Sequence, residues 1–175
     1  LRIRLPPRSV DSVEGMRGMR RLCQQAEIRE RLRQPVVIHR LTDRVRGLLR
    51  RLPGTLFAGR TAEWLVEAGF VTAAAEHGRP QDVLCVNVHG FTFKRPVEKG
   101  DILTIYGRIV KTGTTSMMIH VKAMCEIAGG QNVEGFITFV CVEPDTKKKR
   151  PHNIVLDETT DPEELELRER ALHVQ

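Results

Sequence analysis

The sequence predicts an α+β domain in which an antiparallel sheet of about five strands wraps around one long buried helix. An irregular basic N-terminal extension and a C-terminal surface helix flank it. Three observations predict this. First, Leu65, Val66, Ala68, Phe70, Val71, Ala73, Ala74 and Ala75 point to nearly every azimuth of a 3.6-residue period, as in an enclosed helix. Second, the apolar period falls to two from Asp82 onward. Third, hairpin-length turns separate the resulting strands, which predicts an antiparallel meander. About five strands cover only part of such a helix, so a second copy of the chain is the economical cover for the rest.

Charge divides the chain. Residues 1–52 hold fourteen Arg, no Lys and five acids, a balance of +9, whereas residues 53–175 hold fourteen basic and seventeen acidic residues, a balance of −3. The Arg-rich residues 1–34 read as a solvated tail, with a short basic helix available over Met16 to Leu32. Two further readings are an organelle-targeting segment and a nucleic-acid-binding arm. Aromatic interleaving is missing for the second, so nucleic acid is not an expected partner. No apolar run approaches the ~20 residues of a membrane span, so no membrane association is expected. Cys23, Cys85, Cys125 and Cys141 show no metal-ligand spacing. The last three sit in strand patterns and read as buried thiols of a reducing, cytoplasmic protein.

The elements follow in order. Pro35–Arg40 is a short strand and Leu41–Leu52 a basic turn or short helix. Gly54-Thr55-Leu56-Phe57-Ala58-Gly59 leads into a helix from Arg60 to about Glu76, stopped by Gly78 and Pro80. Val83–Val97 is a strand whose alternation slips at Gly90, the mark of a bulge. Strands over Ile102–Val110, Ser116–Ile127 and Val133–Val142 follow. Thr146–Asn153 is a solvated basic link. Asp161 caps a final helix, with Pro162 at its first position, reaching about His173. The expected organisation is an extension over residues 1–34, the helix-and-sheet domain over 35–156 and the C-terminal helix over 157–175.

The chemistry centres on a conflict. Arg60, Glu63 and Glu67 form a stripe on a helix that otherwise asks to be enclosed, and Glu67 lies in its middle. Arg60, at i−3, can neutralise Glu63; Glu67 is either the functional acid or the partner of Arg60, Lys94 or Arg95. Asn87 and His89 share one strand face, so His89 is either a polarising group or a hydrogen-bonded interface histidine. No second ligand stands at a spacing suited to a metal.

The stretch GTLFAGRTAEWLVEAGFVTAAA, then VNVHGFTFKRPVEKGDILTIYGRIVKTGTTSMMIHV, then EGFITFVCVEPD resembles the hot-dog-fold acyl-CoA thioesterases, over about residues 54–145. The resemblance implies hydrolysis of acyl-CoA to fatty acid and CoA without metal or organic cofactor. It also implies a homodimer with active sites at the interface, often assembled as a trimer of dimers, a hexamer. The backbone amides of Ala58 and Gly59 would form the oxyanion hole, since the N-terminus of a helix offers unpaired N–H groups and a positive dipole end. Glu67 would activate water or attack the carbonyl directly. The strand carrying Asn87 and His89 would pass near the acyl and pantetheine channel, giving both a catalytic reading. Lys94, Arg95, Gly113, Thr114, Thr115 and Ser116 match family segments that border CoA; a solvated charged hairpin is the alternative. Glu67 rises ~12 Å along the helix from Gly59, so both can serve one thioester only if they come from different subunits. The sequence departs from the family at two points. Its acid stands seven residues after the second loop glycine, where this chain has Val66 beside Glu67, and its Asn before the loop is Arg51 here. Three rival readings follow: a non-catalytic acyl-CoA-binding sensor or scaffold, a nucleic-acid binder, and a dehydratase using His89 with Glu67.

Overall fold

The apolar helix runs from Ala58 to His77 (α1) in a computed structural model that describes residues 39–40, 58–97, 101–127 and 129–174. The Arg-rich extension, the basic stretch over Leu41–Leu52 and Gly54–Phe57 of the glycine loop lie outside these residues. Gly78 ends α1 at φ +76°, a conformation open to glycine, and donates its N–H to the Ala74 carbonyl at 2.8 Å. Only one side of α1 is covered by the sheet. Thr61, Leu65, Ala68, Gly69 and Thr72 are buried there, while Phe70, which still reaches Phe139, and Val71 are 37% and 46% exposed.

The sheet contains β1 (His39–Arg40), β2 (Val83–Phe93), β3 (Ile102–Thr112), β4 (Ser116–Cys125) and β5 (Gln131–Cys141). All pairings are antiparallel, in the order β1-β3-β4-β5-β2. Strands β3, β4 and β5 form the expected meander. The placement of β2 departs from it, because β2 pairs with β5 and not with β3. The reason lies in the link after Phe93. Pro96 cannot donate to a ladder and holds Arg95 out of a tight turn. The Asn132 carbonyl accepts the Lys94 N–H at 2.7 Å, and the Asn132 amide nitrogen donates to the Pro96 carbonyl at 3.3 Å, which leads the chain across the end of the sheet. At the far side the Asp101 carboxylate accepts the N–H groups of Ile102 and Ile127 at 2.8 and 3.1 Å. The slip expected at Gly90 is present as a register shift between Val88 and Phe91, with Gly90 at φ +90°; a second shift lies between Cys85 and Asn87.

The inner face of the sheet packs on α1. Leu65, Leu103, Ile105, Ile119, Ile137 and Phe139 are the large side chains sealed there. Close approach is set by glycine: a Cβ on Gly107 would stand 2.1 Å from the Thr72 hydroxyl, which donates to the Ala68 carbonyl. Cys125 and Cys141 are buried free thiols, and burial, with Asp101 alongside, pushes the Cys125 pKa up to about 12. Cys85 corrects the expectation for all three strand cysteines: it is exposed, because it lies on β2 at the end of the sheet order.

The outer face is covered in part by α2 (Pro162–His173), with Val110, Met118, Phe136, Leu167 and Ala171 forming a second core. Asp161 caps α2 as expected, its carboxylate accepting the Glu163 N–H at 3.1 Å. Beside this core lies a polar knot in which Glu134 and His120 are buried and the two cations are half-exposed. Glu134 meets Lys94 at 2.9 Å, Arg170 at 3.3 Å and the His120 Nε2 at 3.0 Å. Burial alone would raise the Glu134 pKa, but hydrogen bonds from Lys94 and His120 and the charge of Arg170 outweigh it and hold it at about 2. Burial lowers the pKa of His120 despite Glu134, so a neutral imidazole donates to the carboxylate.

An acid-stability prediction follows. Glu134 stabilises the fold fully above its unfolded pKa of about 4.5, and that stability is lost as pH falls toward about 2. The loss is on the order of 2–4 kcal/mol. His120 adds a loss that begins below pH 6.5, its value when unfolded, because the unfolded chain takes up the proton first. Urea unfolding at pH 7, 5 and 3 is expected to show this slope, and Glu134→Gln to flatten the part below pH 5. An unchanged slope in the variant would contradict it.

Candidate active site at the helix N-terminus

Ala58 and Gly59 are the first two residues of α1, so their N–H groups precede the helix's own hydrogen-bond ladder. Ala58 lines a cavity of about 300 Å³ with Thr61, Phe93, Lys94, Arg95 and Asn132. The fold therefore brings the helix N-terminus together with two of the cations expected to meet CoA. Both are engaged within the chain. Lys94 pairs with Glu134 and reaches the Gln131 side chain at 3.3 Å, and Arg95 donates to the Gly129 carbonyl.

Glu63 is paired with Arg60 at 2.6 Å, as the i,i+3 spacing predicts. Glu67 is exposed on the side of α1 turned away from the sheet. Among the described residues it has no ion pair: Arg60 is taken by Glu63 and Lys94 by Glu134, while Arg95 holds a carbonyl. Val66, ~100° around the helix from Glu67, is half-buried and packs against the inner core.

Asn87 and His89 share a face of β2, but it is the outer one, opposite α1. His89 Nε2 lies 2.8 Å from the Thr138 hydroxyl, and its Nδ1 is 3.2 Å from the Asn87 amide nitrogen. Thr138 shares the outer-face parity of Phe136, which packs under α2. One chain therefore does not bring His89 and Glu67 together.

Gly113, Thr114, Thr115 and Ser116 lie at the opposite end of the sheet from Lys94 and Arg95. Ser116 pairs with Val140, whereas the Lys94 end of β5 is level with Met124, eight residues further along β4. At a strand rise of ~3.3 Å that is roughly 26 Å. The sequence reading missed Thr61, Phe93 and Asn132 as cavity residues. Asn132 stood in a turn pattern, and its part in the corner depends on β2 lying beside β5. Among the described residues no three His, Cys, Asp or Glu side chains cluster as metal ligands. None of the described helices is long and apolar enough to cross a membrane.

Residues 53–129 match the model of the Thioesterase superfamily. The chain is 34% identical over 108 residues to the acyl-CoA thioester hydrolase YciA of Salmonella typhimurium, covering 55% of this chain and 76% of that protein. The Escherichia coli protein of the same name is 32% identical over the same length, with the same coverage. Among solved structures, an apo-hexameric acyl-CoA thioesterase superposes with a TM-score of 0.62 at 26% identity, over 71% of this chain and 79% of that one. A hexameric thioesterase from Yersinia pestis does so with a TM-score of 0.52 at 28% identity, over 61% and 84%. The helix, the sheet around it and these likenesses agree that this chain belongs to the hot-dog-fold acyl-CoA thioester hydrolases of the Thioesterase superfamily.

Proposed function

We propose that the protein hydrolyses acyl-CoA to free fatty acid and CoA in a site shared between two protomers. The observation that carries this is the kinship to acyl-CoA thioester hydrolases, with a family match over residues 53–129 that takes in the opening of α1. The Ala58 and Gly59 amides, at the positive end of the helix dipole, hold the thioester carbonyl and the negative charge that develops on it. The Glu67 carboxylate of the other protomer takes a proton from water as the water oxygen bonds to the carbonyl carbon. The tetrahedral oxyanion then collapses, the C–S bond breaks, and CoA leaves as a thiol after taking up that proton. No metal or organic cofactor enters these steps. Asn87 and His89 are given a supporting place, since their hydrogen bonds lie on the outer face of the sheet.

The homodimer we propose joins two β2 strands edge to edge. No described strand pairs with the outer side of β2, and Leu84 and Val86 are 49% and 50% exposed along it. Antiparallel pairing there sets the α1 N-terminus, Lys94 and Arg95 of one protomer beside the Gly113–Ser116 turn of its partner, and it also covers Phe70 and Val71. The hexameric thioesterases above support a further trimer of dimers. The free thiols of Cys125 and Cys141 support a reducing, cytoplasmic setting.

Release of free CoA from acyl-CoAs of graded chain length, with mass measured by light scattering, tests this reading. Turnover well above background in a dimer or hexamer supports it. A monomer that hydrolyses none of them would end it. The presence of Val66 where related enzymes carry an acid favours a second reading, an acyl-CoA sensor or scaffold. Tight binding of CoA esters without turnover would select that.

A further inference from the structure

The phosphates of CoA carry on the order of three to four negative charges and require cations not already committed to carboxylates. Lys94 is committed to Glu134 and Arg95 to a backbone carbonyl. A different cation cluster stands at the other end of the sheet, in the segment after β5 that reads from sequence as a solvated link. That segment is built, not loose. Val142 and Lys149 form a β-bridge. The Glu143 N–H donates to the Lys148 carbonyl at 2.9 Å, and the Arg150 N–H to the Cys141 carbonyl at 2.8 Å. The Thr146 hydroxyl donates to the Glu143 carboxylate at 2.9 Å; Asp145, also exposed, is the other acid of the hairpin.

The hairpin is fastened to the Gly113–Ser116 turn. The Cys141 N–H donates to the Thr115 carbonyl at 2.8 Å, and the His152 N–H to the Thr114 carbonyl at 3.3 Å. The buried His152 ring bonds the Ser116 carbonyl through Nε2 at 3.0 Å, while its Nδ1 accepts the Ile154 N–H at 2.9 Å. Behind the hairpin, Arg79 and Arg150 are drawn to the sealed Asp82 carboxylate, at 3.1 and 3.7 Å. Lys147, Lys148 and Lys149 are exposed, and among the described residues none has an ion pair. Lys111, two residues before Gly113, is exposed near the end of β3 where it enters that turn.

We infer that Lys147, Lys148 and Lys149 form a phosphate-binding hairpin that takes the nucleotide end of CoA, with Lys111 and the Thr114–Ser116 turn at its side. The inference rests on the acyl-CoA reading above and adds to it the residues that recognise the phosphorylated half of the substrate. In the β2-paired dimer this hairpin belongs to the partner of the protomer whose α1 N-terminus holds the thioester. One ligand then spans the interface, with its reacting end on one chain and its charged end on the other.

Calorimetric titration of the full chain with CoA, 3′-dephospho-CoA and pantetheine tests this without depending on turnover. The variant K147Q/K148Q/K149Q is expected to bind CoA about tenfold more weakly, 3′-dephospho-CoA less severely, and pantetheine as the wild type does. K147R/K148R/K149R is expected to retain CoA affinity, which separates loss of charge from loss of the hairpin's structure. Unchanged CoA affinity in the glutamine variant overturns the inference and leaves the acyl-CoA reading standing. Failure of the wild type to bind CoA overturns both.

Discussion

Glu67→Gln is expected to lower kcat for acyl-CoA hydrolysis by about 10²-fold or more while leaving KM within a factor of about two. Glutamine keeps the size of the side chain but cannot take a proton from water. Glu67 is exposed in the single chain, so the change removes no buried contact there and folding stability should stay level. A split in which kcat falls and KM holds is the signature of a group that acts in the transition state. The neighbouring Val66 offers the converse test. Val66→Asp puts a carboxylate where the family resemblance implies one, and it is expected to restore turnover in a Glu67→Gln background. Full activity in Glu67→Gln alone would remove this acid from the mechanism while leaving the reaction in place.

Phe139→Ala is expected to destabilise the fold by about 3–5 kcal/mol, read by urea unfolding. Phe139 is fully buried under α1 near the C-terminal end of β5, and the cavity left behind could not readily collapse. A Cβ on Gly69 would already sit 3.3 Å from its ring, and Phe70 stacks tilted against it with centroids 6.5 Å apart. The ring therefore fixes how closely α1 rides on the sheet. A cost below about 1 kcal/mol would mean that helix and sheet close over the gap, and that this seat is softer than the packing implies.

The helix, its stop at Gly78 and the spans of the four long strands were legible in the sequence, because period and turn chemistry are local. The neighbour of β2 was not. A two-residue period reports which residues share a face, but not which strand lies alongside, and the decisive bonds come from Asn132, nearly forty residues from Lys94. The same limit governs the site. Ala58, Lys94 and Arg95 were legible and do meet around one cavity. Asn87 and His89 were rightly placed on one face, yet nothing local fixed that face as the outer one, with β2 shifting register twice. Glu67 stood out by its chemistry alone. In the dimer proposed above, what it approaches belongs to a second chain, which no pattern within one copy can supply.

The distance in sequence between β2 and β5 also bears on the order of assembly during synthesis. Strands β3, β4 and β5 close through short turns, whereas β2 leaves the ribosome before any of them and must wait for the last. Until then a greasy ribbon carrying Leu84, Val86 and Val88 has no lateral partner on the nascent chain, which is a hazard for off-pathway association. Pulse-labelled hydrogen exchange during refolding should find the β3–β4 amides protected before those of β2; protection of β2 first would contradict this sequence of events.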